Sequence, residues 1–342
     1  MNKFLPFILC LCLFGSEKLF SQDPVFSQFY AAPLQINPAF AGNTLAPRIA
    51  LNYRNQWPSL TGGYVTYAAS YEQLFEPLNS GLGLMVQADD AGDGTYKSTN
   101  FGLTYAYRLT FGNNFFAKIG VEVGGAQISL DWDRLIFADQ IDPINGPTGP
   151  GGITNPSGEI RPDDLNKTYF DISTGMLLYS PNFYFGFSAK HLNTPDQTLL
   201  NTNDQLTSGL PIRWTVHGGT QIPITSGSRN SFPVFISPNL AFIKQGDFGQ
   251  IDGGAYVGFG MFFAGAWYRY AFTNGDAVIG TIGIQKDIFK IGYSMDFTVS
   301  DLAMEGTGGA HEISLILNFE NSETFQRKRR SSRFNDCFQL FR

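Results

Sequence analysis

The chain has 342 residues and a formal net charge of −6; 38 residues are glycine, 15% are aromatic and only 15% are charged. Soluble domains carry about 25% charged residues, so this chain has few charges to solvate a large surface. Its mean hydropathy of −0.09 excludes a helical membrane protein. Low charge, abundant glycine and aromatics, and middling hydropathy together predict a β-barrel with an apolar lipid face and a polar lumen.

The N-terminal stretch MNKFLPFILCLCLFGSEKLFSQ has the features of a secretory signal peptide. Lys3 precedes an apolar region over residues 4–15, which is too short to span a bilayer. We expect residues 1–21 to be a signal peptide, cleaved after Ser21 to leave Gln22 as the first residue of the mature chain.

The next segment, QDPVFSQFYAAPLQINPAFAG, is apolar but irregular. Its prolines argue against a helix or a central strand. We assign residues 22–45 to a plug that enters the lumen, or to a contact with a partner protein. Fourteen strands lie between filled eight-stranded barrels and open sixteen-stranded porins, so the lumen should need filling. The predicted contact residues are Phe26, Phe29, Tyr30, Asn37, Pro38 and Phe40.

Beyond this segment, apolar residues alternate with small or polar ones. In 100–109, NFGLTYAYRL, Phe101 and Leu103 share one face while Gly102 and Thr104 share the other. Such a period of two indicates strands with two unlike faces. Past the leader the chain has no run of 18 apolar residues, which argues against transmembrane helices. Fourteen strands are predicted, at 46–57, 64–75, 81–91, 96–110, 114–130, 168–179, 182–192, 211–224, 232–244, 248–258, 260–272, 276–286, 288–299 and 310–320.

Alternation alone fits either a soluble sandwich or a membrane barrel, in which the apolar face is turned outward. Three features favour the barrel. The polar faces carry glycines and single charges such as Arg108, Lys118 and Glu122; aromatics crowd the strand ends; and strands of about ten residues can span a tilted path through a bilayer. We therefore predict an all-β fold, a transmembrane antiparallel up-and-down β-barrel of about 14 strands over residues 46–320.

The predicted connections alternate in length. Long connections at 131–167, 193–210 and 300–309 follow odd-numbered strands, whereas those after even-numbered strands, such as 76–80, are short. Outer-membrane barrels have short periplasmic turns and long external loops, so we expect 131–167, 193–210 and 300–309 to be external loops. The poorest fit is TSGSRNS at 225–231, which follows an even-numbered strand.

Two further regions are candidate contact sites. The acidic loop 131–167, which contains Trp132 and Arg134, is either solvated or bound to a partner or the lumen. Residues 321–342 form a basic tail that we expect in the periplasm, where it could dock on another protein. The candidate residues in the tail are Arg327, Lys328, Arg329, Arg330 and Phe338.

The sequence predicts no catalytic, cofactor or metal site. Cys337 is the one cysteine outside the leader, so an intramolecular disulfide is excluded. The histidines do not accompany a Gly-x-Ser-x-Gly motif and are better interpreted as structural. DDAGDG at 89–94 lacks EF-hand spacing, although a weak calcium site there stays open. The histidines are His191, His217 and His311.

The sequence resembles the PorP/SprF family of outer-membrane proteins of the type IX secretion and gliding system, over nearly the whole mature chain. The tail holds one cysteine but lacks the proline that usually accompanies it in the family. The matching motifs are DPVFSQFY (23–30), INPAFAG (36–42), NYRNQWP (52–58), TYAYRL (104–109), LDWDRLIFADQIDP (130–143), FYFGFSAKHLNTP (183–195) and HEISL (311–315).

This resemblance implies a non-enzymatic barrel in the outer membrane of a Gram-negative bacterium. It would support secretion, gliding motility, or the surface attachment or assembly of a large adhesin or other cargo with a type IX sorting domain. The implied partners are outer-membrane lipid, that cargo, and periplasmic secretion or motility components; nucleic acid is not expected. The alternative is a 14-stranded substrate-transport barrel of the fatty-acid-transporter kind with an N-terminal plug.

Overall fold

The computed structural model describes residues 23–112, 114–149, 153–199, 209–228, 231–272, 274–299, 304–322 and 325. Most of the regular secondary structure in these residues is antiparallel β-strand. The strands are β1 (Arg48–Gln56), β2 (Tyr64–Phe75), β3 (Ser80–Ala91), β4 (Tyr96–Phe111), β5 (Phe115–Leu130), β6 (Asn166–Ser180), β7 (Phe183–Lys190), β8 (Arg213–Thr220), β9 (Ile222–Ser228), β10 (Ser231–Gln245), β11 (Phe248–Phe259), β12 (Phe262–Ala271), β13 (Asn274–Lys286), β14 (Phe289–Thr298) and β15 (Ala310–Asn318).

The strands close into a barrel. Each pairs with its neighbours in the sheet, and the first strand pairs with the last, with Arg48 opposite Asn318. β8 and β9 both pair with β10, so they are two parts of one barrel strand that is interrupted at Gln221. When β8 and β9 are counted as one strand, the fifteen segments form a barrel of fourteen strands. The prediction of an antiparallel barrel of about fourteen strands is therefore confirmed.

The barrel is apolar on the outside and polar on the inside. Along β4, Phe101 and Leu103 are 56% and 55% exposed, whereas Thr104 and Ala106 are fully buried and Arg108 is 2% exposed. A soluble sandwich would bury the first set and expose the second. The reversed arrangement is that of an outer-membrane barrel, in which lipid covers the apolar face.

The two ends of the barrel differ. At the short-turn end, where β1 begins and β15 ends, consecutive strands are joined by a few residues, as between Ser180 and Phe183. At the long-loop end, residues 131–165, 191–212 and 299–309 join β5 to β6, β7 to β8 and β14 to β15. The predicted connection at 225–231 is shorter than expected, because β9 continues to Ser228 and β10 begins at Ser231.

The longest of these loops is folded rather than irregular. It contains two 3-10 turns, Trp132–Arg134 and Ala138–Gln140. Gln140 and Asn155 exchange amide hydrogen bonds, since each side-chain nitrogen donates to the other residue's carbonyl oxygen, at 2.7 and 2.8 Å. This amide pairing joins two described parts of the loop that are fifteen residues apart.

The N-terminal segment contains one helical turn, α1 (Pro33–Ile36), and a following 3-10 turn (Pro38–Phe40). Proline is accepted in the first turn of a helix, where its missing N–H would be unpaired anyway, so the prolines that predicted an irregular path start these turns. A second short helix, α2 (Met304–Thr307), precedes β15. Within the described residues, neither helix could cross a membrane.

Candidate functional site

Residues 23–46, here called the lumen segment, lie inside the barrel. Every residue from Phe26 to Ala46 is buried except Phe29, which is half-buried. The segment contacts inward-facing side chains from strands on all sides of the barrel, so it fills the lumen rather than lining one wall. Its polar wall partners include Arg48, Arg54, Glu72, Gln87, Lys118, Ser188, Arg213, His217, Gln245, Arg269, Asp296 and Glu312.

Near the short-turn end, buried charges hold the segment. Lys118 Nζ donates to the carbonyl oxygen of Gly42 at 2.8 Å. Arg48 Nη1 lies 2.7 Å from Glu72 Oε1, and both side chains are only 1% exposed. Arg48 Nη2 also donates to the carbonyl oxygen of Tyr30 at 2.9 Å. Because a buried ion pair needs further hydrogen bonds to offset its desolvation, the segment's carbonyl groups help to stabilise the wall charges.

In the middle of the lumen, Asn37 is the central polar contact. Its Nδ2 donates to the carbonyl oxygens of Met176 at 3.0 Å and Phe187 at 3.2 Å, and lies 3.1 Å from His217 Nε2. Its Oδ1 accepts from the backbone N–H of Ala39 at 2.8 Å, which caps the 3-10 turn. Both ends of the amide are therefore engaged, as a buried polar group requires.

Wall glycines make room for the segment. A Cβ at Gly120 would collide with the backbone of Pro38 and Ala39, and one at Gly175 would collide with Asn37 Oδ1. Glycine weakens a strand interior and often marks a close backbone approach. The same fit is found at Gly81, Gly83 and Gly292, whereas a Cβ at Gly186 would first meet the wall side chain of His217.

Aromatic rings fill the lumen beside the polar contacts. Tyr30 meets Tyr256 and Phe263 edge-on, with ring centroids 5.3 and 5.6 Å apart. Lys290 Nζ lies 4.7 Å from the centroid of the Tyr30 ring, within cation–π range. Phe29 meets the ring of Trp267 edge-on at 4.9 Å. These rings exclude water from the part of the lumen they occupy.

Phe26 and Phe40 anchor the segment elsewhere. Phe40 stacks on the imidazole of His217 with centroids 5.3 Å apart. Phe26 is 3% exposed and packs in a small cluster with Ala32 and Ala68. Both residues were predicted contact positions, and in the structure each packs against a residue of the barrel wall, Phe40 against His217 and Phe26 against Ala68.

Closer to the long-loop end, Glu312 binds the segment's backbone. Its two carboxylate oxygens accept from the N–H groups of Ser27 and Gln28, at 2.7 and 2.9 Å. Gln28 Nε2 donates to Ser294 Oγ at 3.2 Å, and Ser314 Oγ donates to Gln28 Oε1 at 2.6 Å. The last two strands are thereby joined to the segment at four atoms.

Two arginines meet around the hydroxyl of Ser27. Arg54 Nη1 and Arg269 Nη2 donate to Ser27 Oγ at 2.8 and 3.0 Å, and that hydroxyl donates to Asp296 Oδ2 at 2.7 Å. Both guanidinium groups also pair with Asp296, at 2.9 and 3.0 Å. With Glu312 beside them, these charges form a compact buried network in which the segment supplies a central hydroxyl.

At the long-loop end, Asp23 is held by two cations. Its Oδ2 lies 2.7 Å from His191 Nε2 and 3.1 Å from Arg213 Nη1. Burial alone would lower the pKa of His191, but the carboxylates of Asp23 and Asp171 raise it to about 9. Burial opposes ionisation of Asp23 as well, yet His191 and Arg213 lower its carboxyl pKa below the usual range. The pair is therefore charged at neutral pH.

Beyond Asp23, a cavity of about 680 Å³ occupies the long-loop end of the barrel; we call it the vestibule. The segment's first described residues, Asp23 to Val25, form part of its wall. It is lined by polar and aromatic side chains, and such a volume is in the range of ligand pockets. Its lining includes Arg54, Gln56, Asp89, Tyr96, Asn100, Tyr169, Gln197, Gln250, Arg269 and Asp276.

The predicted contact residues Trp132 and Arg134 lie in the loop between β5 and β6. Trp132 is half-buried against Phe137, with ring centroids 4.9 Å apart, and Arg134 bonds to the carbonyl oxygen of Asp93 in the β3–β4 turn. Both belong to the long loop. The predicted tail residues Arg327, Lys328, Arg329, Arg330 and Phe338 lie outside the described residues.

The sequence indicated the segment but not its partners on the wall. Glu312, Asp296 and Arg269 were not predicted to bind it. In the sequence, each of them is a single charged residue on the polar face of an alternating strand. The same feature at Arg108 and Lys118 is typical of a barrel lumen, but it does not indicate which charges bind the segment. Two of the histidines interpreted as structural, His191 and His217, contact the segment, and His311 bonds to Tyr293.

The fold and this site define a class: an outer-membrane β-barrel whose lumen is occupied by its own N-terminal segment. The family model described as "Type IX secretion system membrane protein PorP/SprF" matches residues 18–317. The chain belongs to the PorP/SprF family, which confirms the resemblance and the outer-membrane location predicted from the sequence. This is a family of secretion-system membrane proteins and not an enzyme family.

Solved structures include distantly similar barrels. The Pseudomonas putida toluene transporter TodX has 11% identity and a TM-score of 0.47, over 87% of this chain and 98% of that chain. The Acinetobacter baumannii outer membrane protein Omp33 has 8% identity and a TM-score of 0.40, over 80% and 97%. BamA of Haemophilus ducreyi lacking POTRA domains 1–3 has 9% identity and a TM-score of 0.36, over 80% and 70%. No curated protein matches the sequence significantly. At these values the likenesses carry no weight for function; the strand pairing itself establishes the barrel.

Proposed function

We propose that this protein is a closed outer-membrane barrel that anchors, or helps to assemble, a large secreted surface protein carrying a type IX sorting domain. The observation that supports this proposal is that the lumen is filled. Buried hydrogen bonds and ion pairs fix the lumen segment near both ends and in the middle, at Gly42, Asn37 and Ser27. A barrel closed in this way offers its external loops, rather than its interior, to other molecules.

The long loop supports a role in protein contact. Five isoleucines between residues 136 and 160 are exposed, the most open being Ile144 at 91% and Ile160 at 84%. They lie in the loop and not in the strands that contact lipid, so their exposure is not explained by contact with the bilayer. Fully burying an aliphatic side chain of this size is worth about 1.5–3 kcal/mol, so a partner that covers several of them gains substantial binding energy. The five are Ile136, Ile141, Ile144, Ile153 and Ile160.

The alternative, a substrate-transport barrel, fits less well. Transport needs a continuous path or a plug that moves. The lumen segment is instead joined to the wall by many buried hydrogen bonds and by the Asp23–Arg213 ion pair, all of which would have to break. Breaking a buried ion pair by removing one partner typically costs about 3–5 kcal/mol. A transporter would bind a small ligand inside the barrel, and an anchor would bind a protein at the loops.

Affinity purification in mild detergent, followed by mass spectrometry, tests this proposal. The wild-type chain should recover a secreted protein with a sorting domain, and the Ile144→Asp, Ile160→Asp double variant should lose it. Leu78→Asp is the control, because Leu78 is an exposed aliphatic residue at the short-turn end, 67% exposed. Recovery of no secreted protein by the wild type, or equal recovery by both variants, would contradict the proposal.

The basic tail is proposed to contact periplasmic secretion or motility components. The strand order places the start of β1 and the end of β15 at the short-turn end, which is periplasmic in outer-membrane barrels. Removing residues 326–342 should reduce recovery of periplasmic proteins while leaving recovery of the secreted partner unchanged. If the periplasmic proteins and the secreted partner are both recovered unchanged, the tail does not contact periplasmic components.

A further inference from the structure

The lumen segment runs the full height of the barrel, and its amino end reaches the long-loop end. Three residues at the ends of strands hold Asp23 there. His191 directly follows β7, Arg213 is the first residue of β8, and Gln245, which accepts a hydrogen bond from the Asp23 N–H at 3.1 Å, is the last residue of β10. All three strand ends lie at the long-loop end, so Asp23 lies at that level too.

The path back toward the short-turn end is occupied. Residues 26–46 fill the lumen beneath Asp23 and are buried apart from the half-buried Phe29. On its other side, Asp23 borders the vestibule. The vestibule wall includes Gln56, the last residue of β1, and Tyr64 and Tyr96, the first residues of β2 and β4. Those residues belong to the rim of the long-loop end, so the vestibule leads from Asp23 toward that rim.

We infer that the amino end of the lumen segment, Asp23 to Val25, opens through the vestibule onto the outer surface of the cell. Long loops are external and short turns periplasmic in outer-membrane barrels. The amino end thus lies on the side opposite to the start of β1, although only the lumen segment separates them. A group attached there is presented beside the external loops.

Antibody labelling of intact cells tests this topology. An epitope tag is inserted between Gln22 and Asp23 in the full-length precursor. One control carries the tag at Gly146 in the external loop, and another carries it at Asn114 in a short turn. The tag before Asp23 should bind antibody on intact cells as strongly as the tag at Gly146, whereas the tag at Asn114 should bind many-fold more strongly after permeabilisation. If the tag before Asp23 behaves like the one at Asn114, the inference is overturned.

A smaller probe covers the case in which the insertion prevents folding. Val25→Cys in a Cys337→Ser background introduces a thiol in the vestibule wall, and Ala39→Cys introduces one in the buried middle of the segment. A membrane-impermeant maleimide should label the first on intact cells and leave the second unlabelled until the protein is denatured. Absence of labelling at residue 25 on intact cells, with labelling after permeabilisation, would overturn the inference. Neither readout depends on cargo binding, so either can fail without affecting the proposed function.

Discussion

Glu312 binds Ser27 by a direct carboxylate-to-backbone contact, with its Oε2 accepting from the Ser27 N–H at 2.7 Å. The residues are 285 positions apart, and both are buried. The other oxygen of Glu312 accepts from Gln28, and Arg54 lies 3.3 Å from the carboxylate. The last strand of the barrel is therefore joined to the segment that precedes the first, and we expect this contact to stabilise the filled lumen.

Replacing Glu312 with glutamine should destabilise the protein by about 3–5 kcal/mol. The amide nitrogen of glutamine cannot accept from a backbone N–H, and Arg54 loses the carboxylate that lies 3.3 Å from its guanidinium group. Urea unfolding in lipid vesicles measures the change. Glu159→Gln, at an exposed loop position, is the control and should change the stability by less than about 0.5 kcal/mol. Equal stabilities for the two variants would mean that Glu312 does not hold the segment.

Gly175→Ala should destabilise the protein by about 1–3 kcal/mol, because the new methyl group would overlap Asn37 Oδ1. The penalty should vanish when residues 23–43 are deleted, since the clash is with the segment. Gly280→Ala is the control, because the nearest atom to its added Cβ is 3.9 Å away. A penalty that persists in the deletion background would assign it to the strand itself and not to the segment.

The amino end of the segment should loosen at alkaline pH. The pKa of His191 is raised to about 9, so the stability it contributes is fully present below its ordinary value of 6.5 and is lost as the pH rises through 9. The pKa of Asp23 is lowered, so its contribution is lost only at acidic pH, below 3.8. The charged groups around His191 are Asp23, Asp171 and Arg213, with the Lys190–Glu122 pair lining the same cavity.

A spin label at residue 25, in a Cys337→Ser background, measures this loosening. Its mobility should stay low between pH 6 and 8 and rise above pH 9, in the window set by the pKa of His191. In the His191→Gln variant the label should be more mobile at pH 7 and should not respond to the alkaline change. A label that stays immobile above pH 9 in the wild type would rule out His191 as the alkaline switch.

A charged side chain on the outward face of the strands should destabilise the barrel in a bilayer. Leu103 lies in the middle of β4 and is 55% exposed in the absence of lipid. Leu103→Arg should destabilise the folded protein in bilayers by about 2–4 kcal/mol, the cost of arginine at the membrane midplane. Ile160→Arg, at a more exposed loop position, should cost less than about 0.5 kcal/mol. Similar small costs for both would place Leu103 in water rather than in lipid.

The strands could be predicted because each carries its own signal. Alternation in 100–109 depends only on neighbouring residues, and β4 was predicted at 96–110 against the observed Tyr96–Phe111. The break at Gln221 was not predicted. It precedes Pro223, which has no N–H to donate, and Gln221 donates its backbone N–H to Asn182 instead of continuing the ladder.

The course of the lumen segment could not be derived in this way. Its prolines and aromatics predicted a docking element, but its direction depends on contacts such as Ser27 with Glu312 and Asp23 with Arg213, which join distant parts of the chain. Glycines such as Gly120 and Gly175 are unremarkable in the sequence. Their role depends on which wall the segment touches, and local patterns do not carry that information.

Conductance of the purified protein in planar bilayers tests the closed lumen most directly. The full-length mature barrel should conduct little, because residues 26–46 fill its lumen and are held by buried contacts. A variant lacking residues 23–43, refolded in the same lipid, should open a pore with a conductance many-fold larger. A large, steady conductance in the full-length protein, or an equally small one in both, would contradict the account.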